Sequence, residues 1–143
     1  RTRIGHLMVE QRKEATDGLS ETPLFDLETT KGLMYANRVY GAEATLDDML
    51  QLCDSEDESI VAVCTVLTLW DRRVDLESQG AQLFTEIWRY LRSRLGTGFQ
   101  GVIANDNFWR VDYDPLDPLN TPSGIDLEIS SNQTLVLDAM VQA

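Results

Sequence analysis

The chain has 143 residues, and its 24 acidic side chains against 12 lysines and arginines give a formal net charge of -12. This negative charge disfavours binding to nucleic acid or to anionic membrane surfaces. A hydrophobic fraction of 43% is typical of a folded globular protein and argues against a disordered acidic tail.

The first half of the chain predicts three helices. Residues 2–15 place apolar side chains on one face and end near Gly18, a residue that can adopt the left-handed conformation found after helices. Residues 27–42 carry apolar side chains at helical spacing and predict the second helix. A short third helix follows, with Thr45 as its predicted N-cap and Asp48 three positions later.

Residues 60–70 predict a fourth helix, although their apolar side chains also alternate as in a strand. The acidic run at residues 55–58 suits the positive end of a helix dipole, so we interpret it as a cap. Consecutive carboxylates have no ligand spacing for a metal. The apolar residues of this helix cover nearly its whole circumference, which predicts burial on most sides. The stretch is too short to span a membrane.

Ser78 is the predicted N-cap of the helix with the clearest pattern, in which a single apolar stripe runs from Leu83 to Leu95. Gly80 beside Ala81 suggests the close approach of another backbone. Gly96 and Gly98 are predicted to end this helix.

The region up to Pro122 shows no clear periodicity, and a last helix is predicted to open at residues 130–132. Asp112, Asp114 and Asp117 resemble part of a calcium loop, but the glycine and glutamate that an EF-hand requires are missing. An extended, proline-stiffened segment with turns at Asp-Pro fits the sequence better.

Catalytic motifs are scarce. The single histidine, His6, lies on the first predicted helix and is more typical of a surface residue than of a general base. The sequence has no Gly-x-Ser-x-Gly motif, no glycine-rich phosphate loop and no paired Cys or His metal motif, so we expect no cofactor and no metal.

Two cysteines, Cys53 and Cys64, lie near the ends of consecutive apolar segments. In an exported protein they could close a small loop around the acidic run, whereas in a reducing compartment they would be two buried thiols. The sequence leaves both alternatives open.

Several segments resemble the penicillin acylase family, in particular its aculeacin A acylase and acyl-homoserine lactone acylase branch. The strongest is Trp-Asp-Arg-Arg-Val-Asp-Leu-Glu-Ser-Gln-Gly-Ala at residues 70–81, followed by Leu83, Phe84 and Trp88. Asp-Pro-Leu-Asp-Pro-Leu-Asn-Thr-Pro at residues 114–122 is similar to a proline-rich segment of the same branch. Residues 1–5, 37–40 and 47–50 also fit, so the likeness runs in order along nearly the whole chain.

The resemblance implies an N-terminal-nucleophile hydrolase, which is made as a precursor and cleaves itself into two chains. The N-terminal serine of the larger chain then attacks an amide. Position 1 of this chain is arginine. We therefore expect the nucleophile and the oxyanion-stabilising groups to lie outside these 143 residues. The fold class implied is mainly α, a helical part of the larger chain of an αββα enzyme rather than a complete fold.

The family has an active-site arginine near the start of this region. The resemblance makes Arg1 the candidate for this active-site arginine and Arg3 the second candidate. The alternative is that the arginine only covers a helix end and has no role in the active site. We expect residues 1–143 to form a single helical fragment of a longer protein, because the chain opens without methionine and closes within an apolar pattern.

The function that follows from the resemblance is that of a segment of an acylase acting on N-acyl substrates such as acyl-homoserine lactones, lipopeptides or penicillins. Its partners would be the remaining parts of the acylase and the small-molecule substrate, and its location would be periplasmic or secreted. Alone it would be inactive and would expose an apolar surface. The alternative is an acidic helical protein-interaction module without enzymatic activity.

Overall fold

The computed structural model describes residues 3–96 and 106–143. Within these ranges the chain forms six α-helices, one 3-10 turn and two short strands. The helices are α1 (Arg3–Lys13), α2 (Leu27–Met34), α3 (Tyr40–Leu50), α4 (Glu58–Leu69), α5 (Ala81–Leu95) and α6 (Ser130–Gln142); the 3-10 turn is Asp106–Phe108 and the strands are β1 (Trp109–Val111) and β2 (Ser123–Ile125). The predicted mainly α fold class is confirmed.

The core lies where α3, α4, α5 and α6 meet the β1–β2 hairpin. The strands are antiparallel, with Trp109 opposite Ile125 and Val111 opposite Ser123. Aromatic rings run through this core with neighbouring centroids 5.2–6.4 Å apart, in the order Trp70, Phe84, Trp88, Trp109, Phe108. Such spacing is typical of favourable aromatic packing.

The helices α1 and α2 lie outside this core. Each of these helices has one buried residue, which is Arg12 on α1 and Thr29 on α2. The Arg12 guanidinium donates to the backbone oxygens of Ser20 and Thr22, both at 2.7 Å, and pairs with Asp17 at 2.9 Å. A buried charge with these partners holds the loop after α1 in place.

The prediction of one helix over residues 27–42 is wrong, because α2 ends at Met34 and α3 begins at Tyr40. Between them Asn37 adopts the left-handed conformation (φ 47°), which asparagine tolerates better than most residues. The predicted N-cap at Thr45 is also wrong. Thr45 is buried inside α3, its hydroxyl donates to the Gly41 oxygen at 2.7 Å, and the N-cap is Val39.

The helical interpretation of residues 60–70 is confirmed by α4, and so is the capping role of the acidic run. The Asp57 carboxylate accepts hydrogen bonds from the backbone N–H groups of Ser59 and Ile60. The predicted burial on most sides is wrong within the described residues, because only Ile60, Cys64 and Leu67 of α4 are buried.

The prediction that Ser78 caps α5 is wrong. Gly80 is the N-cap, with φ 110°, and the Ser78 hydroxyl donates to the Asp71 carboxylate. A Cβ at Gly80 would lie 2.8 Å from Cβ of Trp70, so the close neighbour is a side chain rather than a backbone. Gly96 ends α5 as predicted, and Gly98 lies outside the described residues.

The last helix is confirmed as α6. The strands of the hairpin were not predicted, because three residues are too few to show a period of two. Between them the backbone turns at Pro115, and the Asp114 carboxylate accepts from the Leu116 N–H at 2.8 Å, as expected for a turn at Asp-Pro. None of the helices in the described ranges is long and apolar enough to span a membrane.

Candidate functional site

The segment at residues 70–81, which we call the signature segment, connects α4 to α5. Its first residue, Trp70, is buried and donates from Nε1 to the Arg73 oxygen at 2.9 Å. Asp71 accepts from the Arg73 N–H at 3.1 Å and from the Ser78 hydroxyl at 2.9 Å. The Trp70 indole and the Asp71 carboxylate therefore fix the same turn.

The signature segment also binds the connection between α2 and α3. The Val39 N–H donates to the Arg72 oxygen and the Val74 N–H donates to the Asn37 oxygen, each at 2.9 Å, so that Arg38 and Arg73 form an antiparallel bridge. The Asn37 amide adds a bond of 2.6 Å to the Asp75 carboxylate. These contacts join positions 33 to 38 residues apart.

Two residues at this crossing have positive φ, Asn37 at 47° and Arg72 at 59°. A left-handed arginine is sterically unfavourable and is retained only where surrounding contacts impose it. Here the Arg72 side chain pairs with Asp47 of α3. The hydrogen bond from Arg72 lowers the pKa of the Asp47 carboxyl, which keeps it ionised.

Arg38 extends the network to α1. Its guanidinium binds both carboxylate oxygens of Glu43 at 2.6 Å and reaches Gln11 Oε1 at 2.7 Å. The hydrogen bonds to Glu43 raise the pKa of Arg38 above its ordinary value. The bidentate pair is half-buried, so it is a stronger link than the exposed ion pairs of the chain.

Of the two arginines proposed for an active site, Arg1 lies outside the described residues and Arg3 begins α1. Arg3 donates to the Tyr40 hydroxyl at 3.2 Å, and its guanidinium lies 5.3 Å from the centre of the Tyr40 ring. The Tyr40 hydroxyl in turn donates to the Leu119 oxygen at 3.3 Å. Tyr40 thus connects the start of α1 to the proline-rich segment at residues 114–122.

The structure joins Cys53 to Cys64 through a disulfide bond, with Cα atoms 5.8 Å apart. The bond connects the residues after α3 to the middle of α4. No group of His, Cys, Asp and Glu in the described parts of the chain could hold a metal ion. Asp112, Asp114 and Asp117 therefore form no metal centre there.

His6, the histidine considered as a general base, is exposed on α1. The hydroxyl of Ser78 donates to Asp71 and is used to hold the turn. The polar groups of the signature segment hold loops together rather than presenting a reactive atom.

Sequence reasoning missed a second polar centre, at Asp48. This carboxylate is 4% exposed, accepts the buried Ile125 N–H at 2.9 Å and pairs with Arg110 on β1. The Arg110 guanidinium lies against Gly124, where a Cβ would come within 2.6 Å of Nη2. The Gln51 amide also donates to Asp48 at 3.2 Å, but Arg110 and Ile125 lie more than 60 positions away, so the sequence signals this centre only by an aspartate among apolar residues of a helix.

The chain matches the family model described as penicillin amidase over residues 1–143. It is 32% identical over 146 residues to the acyl-homoserine lactone acylase PvdQ of Pseudomonas syringae pv. tomato, covering 97% of this chain and 18% of that protein. It is 33% identical over 120 residues to the PvdQ acylase of Pseudomonas savastanoi pv. phaseolicola, covering 81% and 14%. With the aculeacin-A acylase of Actinoplanes utahensis it shares 38% identity over 95 residues, covering 60% and 12%.

The chain therefore spans less than one fifth of the length of these relatives. The match nonetheless covers every residue of the chain, including the signature segment and the proline-rich segment. The resemblance drawn from the sequence is confirmed: the chain belongs to the penicillin amidase family.

Proposed function

We propose that this chain is a structural segment of an amide-hydrolysing acylase that removes acyl groups from N-acyl substrates such as acyl-homoserine lactones, lipopeptides or penicillins. The observation that carries the proposal is the family match over all 143 residues, together with relatives named as acylases. The contacts of the described residues support a structural role, since their ion pairs and hydrogen bonds connect loops and helices of the segment to one another.

The catalytic nucleophile lies outside these 143 residues, so the chain alone is inactive. In an N-terminal-nucleophile hydrolase the attacking hydroxyl or thiol belongs to the first residue of a chain, and the free amine of that residue is the base. The remaining parts of the acylase are accordingly the main partner of this segment, and residues 1–143 form one helical fragment of it.

Arg1 is our candidate for an arginine that reaches the active site. Arg3 already has its guanidinium hydrogen-bonded to the Tyr40 hydroxyl and placed over the Tyr40 ring, which gives it a structural role within the segment. We propose a periplasmic or secreted location, since the Cys53–Cys64 disulfide would persist in an oxidising compartment.

The test uses the intact acylase that contains this segment. It should release homoserine lactone from an N-acyl-homoserine lactone, as measured by mass spectrometry. Arg1→Ala should lower kcat/KM while leaving the thermal midpoint unchanged, and Arg3→Ala should lower the thermal midpoint. An intact protein that hydrolyses none of the N-acyl substrates would refute the proposed function. Full activity of Arg1→Ala would refute only the role of Arg1.

A further inference from the structure

After its first residue, Glu58, α4 carries no charged residue. Between Glu58 and Asp71 the chain has no aspartate, glutamate, lysine or arginine, although a quarter of all residues are charged. Ile60, Cys64 and Leu67 of α4 are buried in the core, and Val63 packs against it. The exposed residues of the helix between Ser59 and Trp70 form what we call the outer face: Val61, Ala62, Thr65, Val66, Thr68 and Leu69. An exposed helix face without charge is unusual in a strongly acidic chain.

The outer face has the shape of a surface that packs against another element. Val61, Thr65 and Leu69 follow one another at four-residue spacing and form a ridge, and Ala62 and Val66 form the neighbouring one. The Thr65 hydroxyl donates to the Val61 oxygen at 2.8 Å. Its hydrogen bond is thus made within the helix, and its methyl group adds to an apolar surface.

The apolar surface extends beyond the helix. Leu69 at the end of α4 is 83% exposed, and it leads directly into the signature segment, in which Val74 is 54% exposed and Leu76 fully exposed. The signature segment is held rigidly by its contacts with Asn37 and Asp47. These leucines and valines are therefore presented on a fixed backbone, which reduces the entropy lost on docking.

We propose that the outer face of α4 is an internal interface, packed in the intact acylase against an apolar element that lies outside these 143 residues. The inference rests on the proposed function. More than four fifths of the length of each matched relative lies outside the matched region. This remaining part of the protein is the source of the covering element in the proposal. A second copy of the chain fits less well, because a net charge of -12 on each copy opposes their association.

Thr85 on α5 provides a matched control. It is exposed in the middle of a helix, and its hydroxyl donates to the Ala81 oxygen at 2.7 Å, just as Thr65 donates to Val61. Its surroundings differ, since Gln82, Glu86 and Arg89 form a hydrogen-bonded polar group on the same side of α5. This is a solvated face, and it should stay accessible in the intact enzyme.

The experiment measures the labelling rate of Thr65→Cys and Thr85→Cys in the folded intact acylase with a hydrophilic maleimide, with the unsubstituted enzyme as background. We expect the Thr65→Cys variant to react at least about tenfold more slowly, because labelling requires opening of the interface. Equal rates would overturn the proposal. The readout needs no catalysis, so it is independent of whether the proposed substrates are correct.

Stability gives a second measurement in the same enzyme. Thr65→Glu would bury a carboxylate without a partner and should lower the thermal midpoint, whereas Thr85→Glu should leave it nearly unchanged. Equal midpoints for the two variants would contradict the proposal. So would sedimentation of the intact acylase as a dimer that Thr65→Glu dissociates, since the face would then bind a second copy.

Discussion

Replacing Asp48 by alanine should destabilise the chain more than any exposed charge substitution. The carboxylate is nearly fully buried on α3 and accepts the Ile125 N–H at 2.9 Å, and Ile125 itself has no exposed surface. Removal leaves this backbone donor without a partner, which costs about 1–3 kcal/mol. The Arg110 partner is 57% exposed, so loss of the ion pair adds no more than about 1 kcal/mol.

The expected total is a loss of about 1–4 kcal/mol, which for a domain of this size lowers the thermal midpoint by about 2–16 °C. Thermal and urea unfolding followed by far-UV circular dichroism would measure it. Asp48→Asn should lie between wild type and Asp48→Ala, because the amide oxygen can still accept the Ile125 N–H. Arg110→Ala is the comparison variant and should cost less than Asp48→Ala, because the Ile125 N–H keeps its acceptor. An Arg110→Ala variant as unstable as Asp48→Ala would refute the reasoning.

Three further predictions concern the disulfide, Gly80 and acid stability. Removing the Cys53–Cys64 bond by reduction or by a Cys53→Ala, Cys64→Ala double substitution should cost about 3 kcal/mol of unfolding free energy, given a sequence separation of 11. The mass of the chain after alkylation should rise only when a reductant is added first. Alkylation without reductant would show that the bond is absent. Gly80→Ala should lower the free energy of unfolding by more than the roughly 1–2 kcal/mol of a left-handed alanine, because its Cβ would lie 2.8 Å from Trp70. Gly18→Ala is the control, since Gly18 also has a positive φ but open space around it. Equal losses of stability in the two variants would argue against the contact with Trp70. The hydrogen bond from Arg72 lowers the pKa of Asp47, and the hydrogen bond from the Thr29 N–H lowers the pKa of Asp26, so both carboxylates stabilise the fold above their ordinary pKa of 3.8 and lose this contribution as the pH falls through the lower folded values. The free energy of unfolding should therefore fall less steeply with acid in Asp47→Asn than in the unsubstituted chain. An unchanged pH dependence would show that Asp47 does not contribute.

The helical content of the chain was predictable because long amphipathic patterns are local. The stripe of α5 and the apolar run of α4 needed only the sequence, and the Asp57 cap was signalled by the acidic run before α4. The predicted N-caps were wrong where a hydroxyl side chain that could cap a helix forms a different hydrogen bond. Thr45 bonds within α3, and Ser78 bonds to Asp71, so neither caps the helix that follows it.

The polar centres were less predictable than the helices. Asp47 with Arg72, Asn37 with Asp75 and Asp48 with Arg110 are 25 to 62 positions apart, and no spacing rule connects them. The signature segment was recognised as a family feature from its residues, but its role in fixing the turn depends on those distant contacts. The outer face of α4 shows a related difficulty. The sequence indicated burial on most sides, and within the described residues half of that surface is left uncovered.

The most direct test of the central claim compares the 143-residue chain with the intact protein that contains it, in the same assay of homoserine lactone release from an N-acyl-homoserine lactone. We expect turnover by the intact protein and none by the chain alone, because the proposed function assigns the nucleophile to a part of the protein outside these residues. Turnover by the purified chain, or an intact protein without amide-hydrolysing activity, would contradict the account.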